Sequence, residues 1–209
     1  MPKLWSQTID CHRSAVRDAI LDTTVLLVEK DGLRAVTMSD IAKGAGIGRA
    51  TLYKYFDSVE EILLAWHERQ VGSHLAELGE LGHGAGRADE RLRSVLRAYA
   101  GMEHDRLGTE LSVLLHRGKH VARAHDHLLQ LLQSLLEQGV EARLFRADVP
   151  PGELAAYCVH ALGATAGMRS AKSVGRLLDV ILGGLTDARA HPRRRRPDVV
   201  KGAARARPR

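Results

Sequence analysis

Thr51-Leu52-Tyr53-Lys54-Tyr55-Phe56 is the stretch on which the rest of the chain turns. The protein holds only two Trp, four Tyr and two Phe in 209 residues, yet Tyr53, Tyr55 and Phe56 crowd into this one segment. At about 100° per residue, Leu52 and Phe56 fall on one helix face, while Ala50, Thr51 and Lys54 lie opposite with Tyr53 beside them. The first face suits a domain core. The second is small, polar and basic, as a DNA groove requires: phosphates accept from Lys and Tyr, and base edges need short reachable groups.

Upstream, Gly44-Ala45-Gly46-Ile47-Gly48 breaks the chain, because glycine tolerates the positive φ of a tight turn, and Ile47 is placed to fill the corner between two helices. A short helix precedes it. Thr37-Met38-Ser39-Asp40 reads as a capping box with Asp replacing the usual Glu, and Ile41, Ala42 and Ala45 supply the apolar side. Before that, residues 13 to 31 read as a helix carrying Ile20, Thr24, Leu27 and Val28, closed by Gly32 in the left-handed cap position.

Downstream, Ser58 and Glu61 form a second N-terminal signature opening a helix with Ile62, Leu63 and Trp66, which the glycines from Gly79 to Gly86 should end. Apolar stripes then mark helices through Leu92, Val95, Leu96, Tyr99 and Met102, through Leu107 to Leu115, and through Leu128 to Leu136. Pro150-Pro151 breaks the chain ahead of a helix over about 153–168 that is apolar nearly all round. Another, over about 173–189 with Ser173 as its cap, carries Val174, Leu177, Leu178, Ile181, Leu182 and Leu185. Two adjacent helices with this much apolar surface suggest a homodimer interface; packing inside one monomer is the alternative. Strand-type alternation is scarce, so the fold class is all-α.

The charge is unevenly placed. The formal net charge is +6, but residues 192–209, with the run Arg193 to Arg196, carry +7, leaving the body of the chain at about −1. A DNA-binding reading therefore rests on local geometry around residues 37–56 and not on the isoelectric point. The expected organisation is a helix-turn-helix domain over 1–57, a helical effector-binding and dimerisation domain over 58–190, and a disordered basic tail over 191–209. Cys11 and Cys158 are too few for a disulfide framework and should be reduced. Asp10, Cys11 and His12 stand where a signal sequence needs apolar residues, and no apolar run is long enough for a membrane span, so a cytoplasmic protein is expected.

Two helices joined by a glycine-bearing turn make a helix-turn-helix, whose second helix enters the major groove. Residues 17–63, above all Thr37 to Ala42, Ala45-Gly46-Ile47 and Thr51 to Phe56, resemble the N-terminal DNA-binding domain of TetR-family transcriptional regulators. The resemblance implies an all-helical homodimer, a C-terminal ligand-binding domain, and repression at a near-palindromic double-stranded DNA operator relieved by a small-molecule effector. It also implies DNA contacts from Thr37, Gly48, Arg49, Ala50, Thr51, Tyr53, Lys54 and Tyr55, with Thr37 and Tyr53 on phosphates. Two positions depart from the family pattern. Gly48 stands where Ser or Thr is frequent, and Val59 where Lys is common, so two phosphate contacts are missing.

Trp66, Tyr99, Met102 and Tyr157 are bulky and sit on helices able to line an effector cavity, with plain core packing the competing reading of each. His116, His120, His125 and His127 form a second constellation, but Gly118 lies between the first two, and Lys119 and Arg123 would repel a cation. A solvated polar face is the better reading, and neither metal nor cofactor is expected. No nucleophile elbow, phosphate-binding glycine loop or paired carboxylates point to an enzyme. The rival in another class is a helical small-molecule or metal-binding protein without sequence-specific DNA binding.

Overall fold

The computed structural model describes residues 3–104, 119–168 and 170–186. These form α1 (Lys3–Asp31), α2 (Met38–Gly44), α3 (Arg49–Leu52), α4 (Val59–His83), α5 (Ala88–His104), α6 (Lys119–Glu141), α7 (Pro151–Gly163) with a 3₁₀ turn (Ala164–Gly167), and α8 (Ala171–Leu185). The described residues contain no strand, and none of their helices is long and apolar enough to cross a membrane. The expected helix over 107–115, His116 and the basic tail lie outside the described residues.

Two apolar cores divide the molecule. In the N-terminal one, Ile20 and Leu21 of α1, Ile41 and Ala42 of α2, Leu52, Phe56 and Ile62 are all buried together. In the C-terminal one, Leu92, Val95 and Leu96 of α5 meet Leu132, Leu135 and Leu136 of α6, Leu154, Cys158 and Leu162 of α7, and Leu178 and Ile181 of α8. Burial raises the Cys158 thiol to about 12, so it stays protonated near neutrality. Helix α4 belongs to both cores: Ile62, Ala65 and Trp66 pack on the first, Leu75, Leu78 and Leu81 on the second.

Several boundaries differ from expectation, each for a physical reason. Helix α1 begins at Lys3 because no Gly or Pro interrupts the chain between that residue and Gly32, whose φ of 84° and bond to the Val28 carbonyl (2.9 Å) close it. Helix α4 continues past Gly79 to His83, since Leu78 and Leu81 pack on the second core and Gly82 lets α6 approach. A Cβ at Gly82 would lie 2.6 Å from Leu131 Cδ1. Helix α7 gives way to a 3₁₀ turn after Gly163, where the buried Thr165 hydroxyl donates to the Leu162 carbonyl at 2.7 Å. Ser170, not Ser173, caps α8: its Oγ accepts from the Ser173 N–H, which sits in the first turn. Helix α7, though apolar nearly all round, is not buried all round, for Tyr157 and His160 are exposed.

Gly44 ends α2 where that helix crosses α1. A Cβ there would stand 2.7 Å from Thr23 Cγ2, and a β-branched neighbour has little freedom to yield. Alanine is the better helix former by up to about 1 kcal/mol, but overpacking costs ~1–3 kcal/mol. Gly44→Ala is therefore expected to lower the thermal midpoint, as followed by circular dichroism, despite its favourable propensity.

Candidate nucleic-acid interface and effector cavity

The N-terminal core fixes one face of the segment from Gly48 to Phe56 and leaves the other open. Leu52 is fully buried and Phe56 is 4% exposed, and Arg17 of α1 lies over the Phe56 ring at 5.4 Å. Gly48, Arg49, Ala50, Tyr53 and Lys54 are exposed, and Thr51 and Tyr55 half-buried. The α-helix proper stops at Leu52. Beyond it Lys54 N–H donates to the Thr51 carbonyl (3.1 Å) and Tyr55 N–H to the Leu52 carbonyl (2.9 Å). The expected cylinder over 49–56 is thus one α-helical turn finished by tighter bonds. It must stop there because Ser58 caps α4, accepting from the Glu61 N–H at 3.2 Å, while the Glu61 carboxylate reaches back to the Asp57 N–H at 2.7 Å.

The turn between α2 and α3 works as its sequence suggests. Gly46 has φ 68°, Ile47 N–H returns to the Ala42 carbonyl at 3.0 Å, and Ile47 packs against the core. Gly48 caps α3 through its backbone alone, without a side-chain bond. At the start of α2, Asp40 N–H donates to Thr37 Oγ1 (3.3 Å), and the Thr37 N–H and hydroxyl both donate to Asp40 Oδ2 (3.1 and 2.5 Å). Thr37 is exposed as expected of a phosphate contact, but its own donors are directed at Asp40, next to a negative charge.

A cavity of about 190 Å³ opens between α4, α5 and α6. Tyr99 and Met102 line it. Trp66 and Tyr157 do not. Trp66 lies on the α4 face turned to the N-terminal core, and Tyr157 stands 42% exposed on α7 near Gly184 of α8. Bulk, apolarity and a place on a helix single out both residues, and none of these says which way a helix face turns. The wall from α4 comprises His67, Gln70, Val71, His74, Leu75 and Leu78, a single stripe at three- and four-residue spacing that mixes polar with apolar side chains.

The histidines separate in the same way. His120 Nε2 meets His67 Nδ1 at 2.7 Å, so one imidazole donates to the other across α6 and α4. His125 lines the cavity edge with its ring 6.5 Å from that of His160, and both His125 and His127 are exposed. Among the described residues no group of three or more His, Cys, Asp or Glu is placed to hold a metal ion. Nearby, Arg69 of α4 binds Asp18 of α1 at 2.9 Å and also Asp22. Partial burial disfavours its charge, but the bonds to Asp22 and Asp18 outweigh that and hold its pKa above the ordinary guanidinium value.

A turn of this geometry, with one helix face anchored and the other open, defines a helix-turn-helix DNA-binding protein. Residues 20–66 match the model of bacterial regulatory proteins of the tetR family. The transcriptional repressor KstR2 of Rhodococcus jostii is 28% identical over 146 residues, covering 66% of this chain and 71% of that protein. The transcriptional regulator EthR of Mycobacterium tuberculosis is 47% identical over 53 residues, about a quarter of each chain (25% and 24%). A TetR/AcrR-family regulator from Thermobifida fusca superposes with a TM-score of 0.66 at 21% identity, over 80% of this chain and 97% of its own. Residues 20–66 thus carry a DNA-binding domain of the tetR-family type, and the relatives that the chain resembles are DNA-binding transcriptional regulators.

The capping box carries a pH signature. Hydrogen bonds from the Thr37 side chain and backbone hold the Asp40 carboxyl below its ordinary range, as does the nearby Lys43 charge. A depressed folded-state pKa contributes stability near neutrality that is lost as pH falls through the folded-state value. The difference in thermal midpoint between wild type and Asp40→Asn, favouring wild type near neutrality, is expected to shrink as pH falls below the ordinary carboxylate range. A constant difference would mean that the charge on Asp40 contributes nothing.

Proposed function

We propose that the protein is a cytoplasmic homodimeric repressor that sets two copies of the segment 48–55 in successive major grooves of a near-palindromic operator and leaves it when a small molecule fills the α4–α5–α6 cavity. The observation that carries this reading is the opposition of faces: Leu52 and Phe56 buried, Arg49, Ala50, Tyr53 and Lys54 outward. Lys54, Arg49 and the Tyr53 hydroxyl serve phosphates, while Ala50 and Thr51, short and near the start of the turn, face base edges. Gly48 and Tyr55 flank this surface, Gly48 by backbone approach and Tyr55 by its partly exposed ring. At Thr37 the phosphate is met by the helix N-terminus, whose first amides have no partner within the helix.

Dimerisation is assigned to α7 and α8, which overlap the expected stretches 153–168 and 173–189. Tyr157 and Val180 are exposed there at 42% and 67%, beside exposed Gly163, Gly183 and Gly184, which permit close helix approach. Release needs only that the effector prefer one conformation, by a coupling of roughly 1–3 kcal/mol. Helix α4 supports such a coupling. Its cavity stripe runs from His67 to Leu78, while Ile62 sits in the core that holds α3, and Arg69 ties it to α1. A shift of α4 at the cavity therefore moves the frame on which the DNA-facing segment rests.

Titrating the purified protein against its own upstream DNA in a mobility-shift assay tests the reading. Tyr53→Phe is expected to weaken binding to every sequence by roughly tenfold, about 1.4 kcal/mol. Lys54→Ala should also flatten the salt dependence by about 0.9 unit of log–log slope. Thr51→Ala, in contrast, should change preference at particular base pairs. Equal effects of Thr51→Ala on all sequences would refute its role at base edges, and no upstream binding at any salt concentration would refute the operator reading.

A further inference from the structure

The cavity wall is amphipathic along its length, and that polarity points to a class of ligand. On α4, His67, Gln70 and His74 precede Leu75 and Leu78 in the same stripe, so the end nearer the DNA-binding unit is polar and the far end apolar. Helix α6 runs alongside, with Val121, Ala124, His125 and Leu128 on the wall. His120 meets His67, His125 lines the middle, and Leu128 faces the apolar end. Imidazole and amide groups are hydrogen-bond donors, and none of the described lining residues is Asp or Glu. Among the described residues, His74 makes no hydrogen bond, so a donor at the cavity edge is open to a ligand.

We infer that this cavity takes a small monocarboxylate: an apolar body seated against Leu75, Leu78 and Leu128, with its carboxylate accepting from the imidazoles of His74 and His125. The inference rests on the reading of the cavity as the effector site. Bonds to an ionised acceptor are roughly twice as strong as neutral ones, and His74 and His125, both exposed at the cavity edge, are free to exchange water for such an acceptor. Size bounds the body. A cavity of ~150 Å³ holds benzene, so 190 Å³ suits a single ring or a short acyl chain. Among the described lining residues, a second carboxylate or a cation finds no matching group at the apolar end.

The test uses the full-length protein, with benzoate and hexanoate as probes and benzyl alcohol and hexanol as neutral counterparts. Calorimetric titration is expected to give the carboxylates at least a tenfold lower Kd than the alcohols, and His74→Leu and His125→Leu, separately, should erase that preference while alcohol binding persists. Retained alcohol binding also shows that each variant is folded. Leu78→Gln should weaken acids and alcohols alike. Equal affinity for acid and alcohol, preference unchanged in both histidine variants, or no binding of any probe would overturn the inference. Operator binding measured in parallel keeps the two readings apart. A protein that holds its operator and ignores every carboxylate refutes the ligand class alone, and one that binds benzoate without holding DNA refutes the repressor reading alone.

Discussion

The burial of Leu52 and Phe56 against α1, α2 and α4 is the constraint from which the DNA-facing geometry follows. A single turn of α-helix has almost no stability of its own, because nucleation fixes several dihedrals for one hydrogen bond. Arg49–Leu52 stays helical because its apolar side is embedded, because Phe56 is held beneath Arg17, and because Gly46 and Ile47 deliver the chain at the right angle. Replacing Leu52 by a smaller side chain would remove a fully buried anchor, a loss of ~2–5 kcal/mol for Leu→Ala, and would free the outer face to reorient.

The second constraint is that the two cores share one helix. Because α4 contributes Ile62 to the first and Leu78 to the second, neither unit can rotate freely about the other. The Arg69 bridge to Asp18 and Asp22 reinforces this on the α1 side. Such partly exposed pairs contribute little to stability, so the bridge is better understood as fixing the register of α4 on α1. On the opposite side the cavity replaces dense packing with space, which is where a ligand can act on α4 most cheaply.

How much of this was legible in the sequence depended on how local the determinant was. Thr37 with Asp40, Ser58 with Glu61 and Gly46 in the turn act within a few residues, and each does what its spacing suggests. The outward positions of this segment are legible too, since a buried Leu52 dictates where Lys54 points. Where packing overrides local preference, the reading failed. Gly79 stands inside α4 because leucines around it are buried, and Gly82 serves a crossing with α6 that no local signal announces. The cavity was half legible: Tyr99 and Met102 were found, but the histidine stripe of α4 was hidden because its polar members do not stand out as an apolar face would.

Hydrogen exchange across the backbone, measured with and without a duplex of the protein's own upstream DNA, bears most directly on the central claim that the outer face of residues 48–55 is the DNA-binding surface. The account predicts slowed exchange in peptides spanning 37–57, with little change in α5. Tight binding of the duplex that leaves exchange in 37–57 unaltered would contradict it.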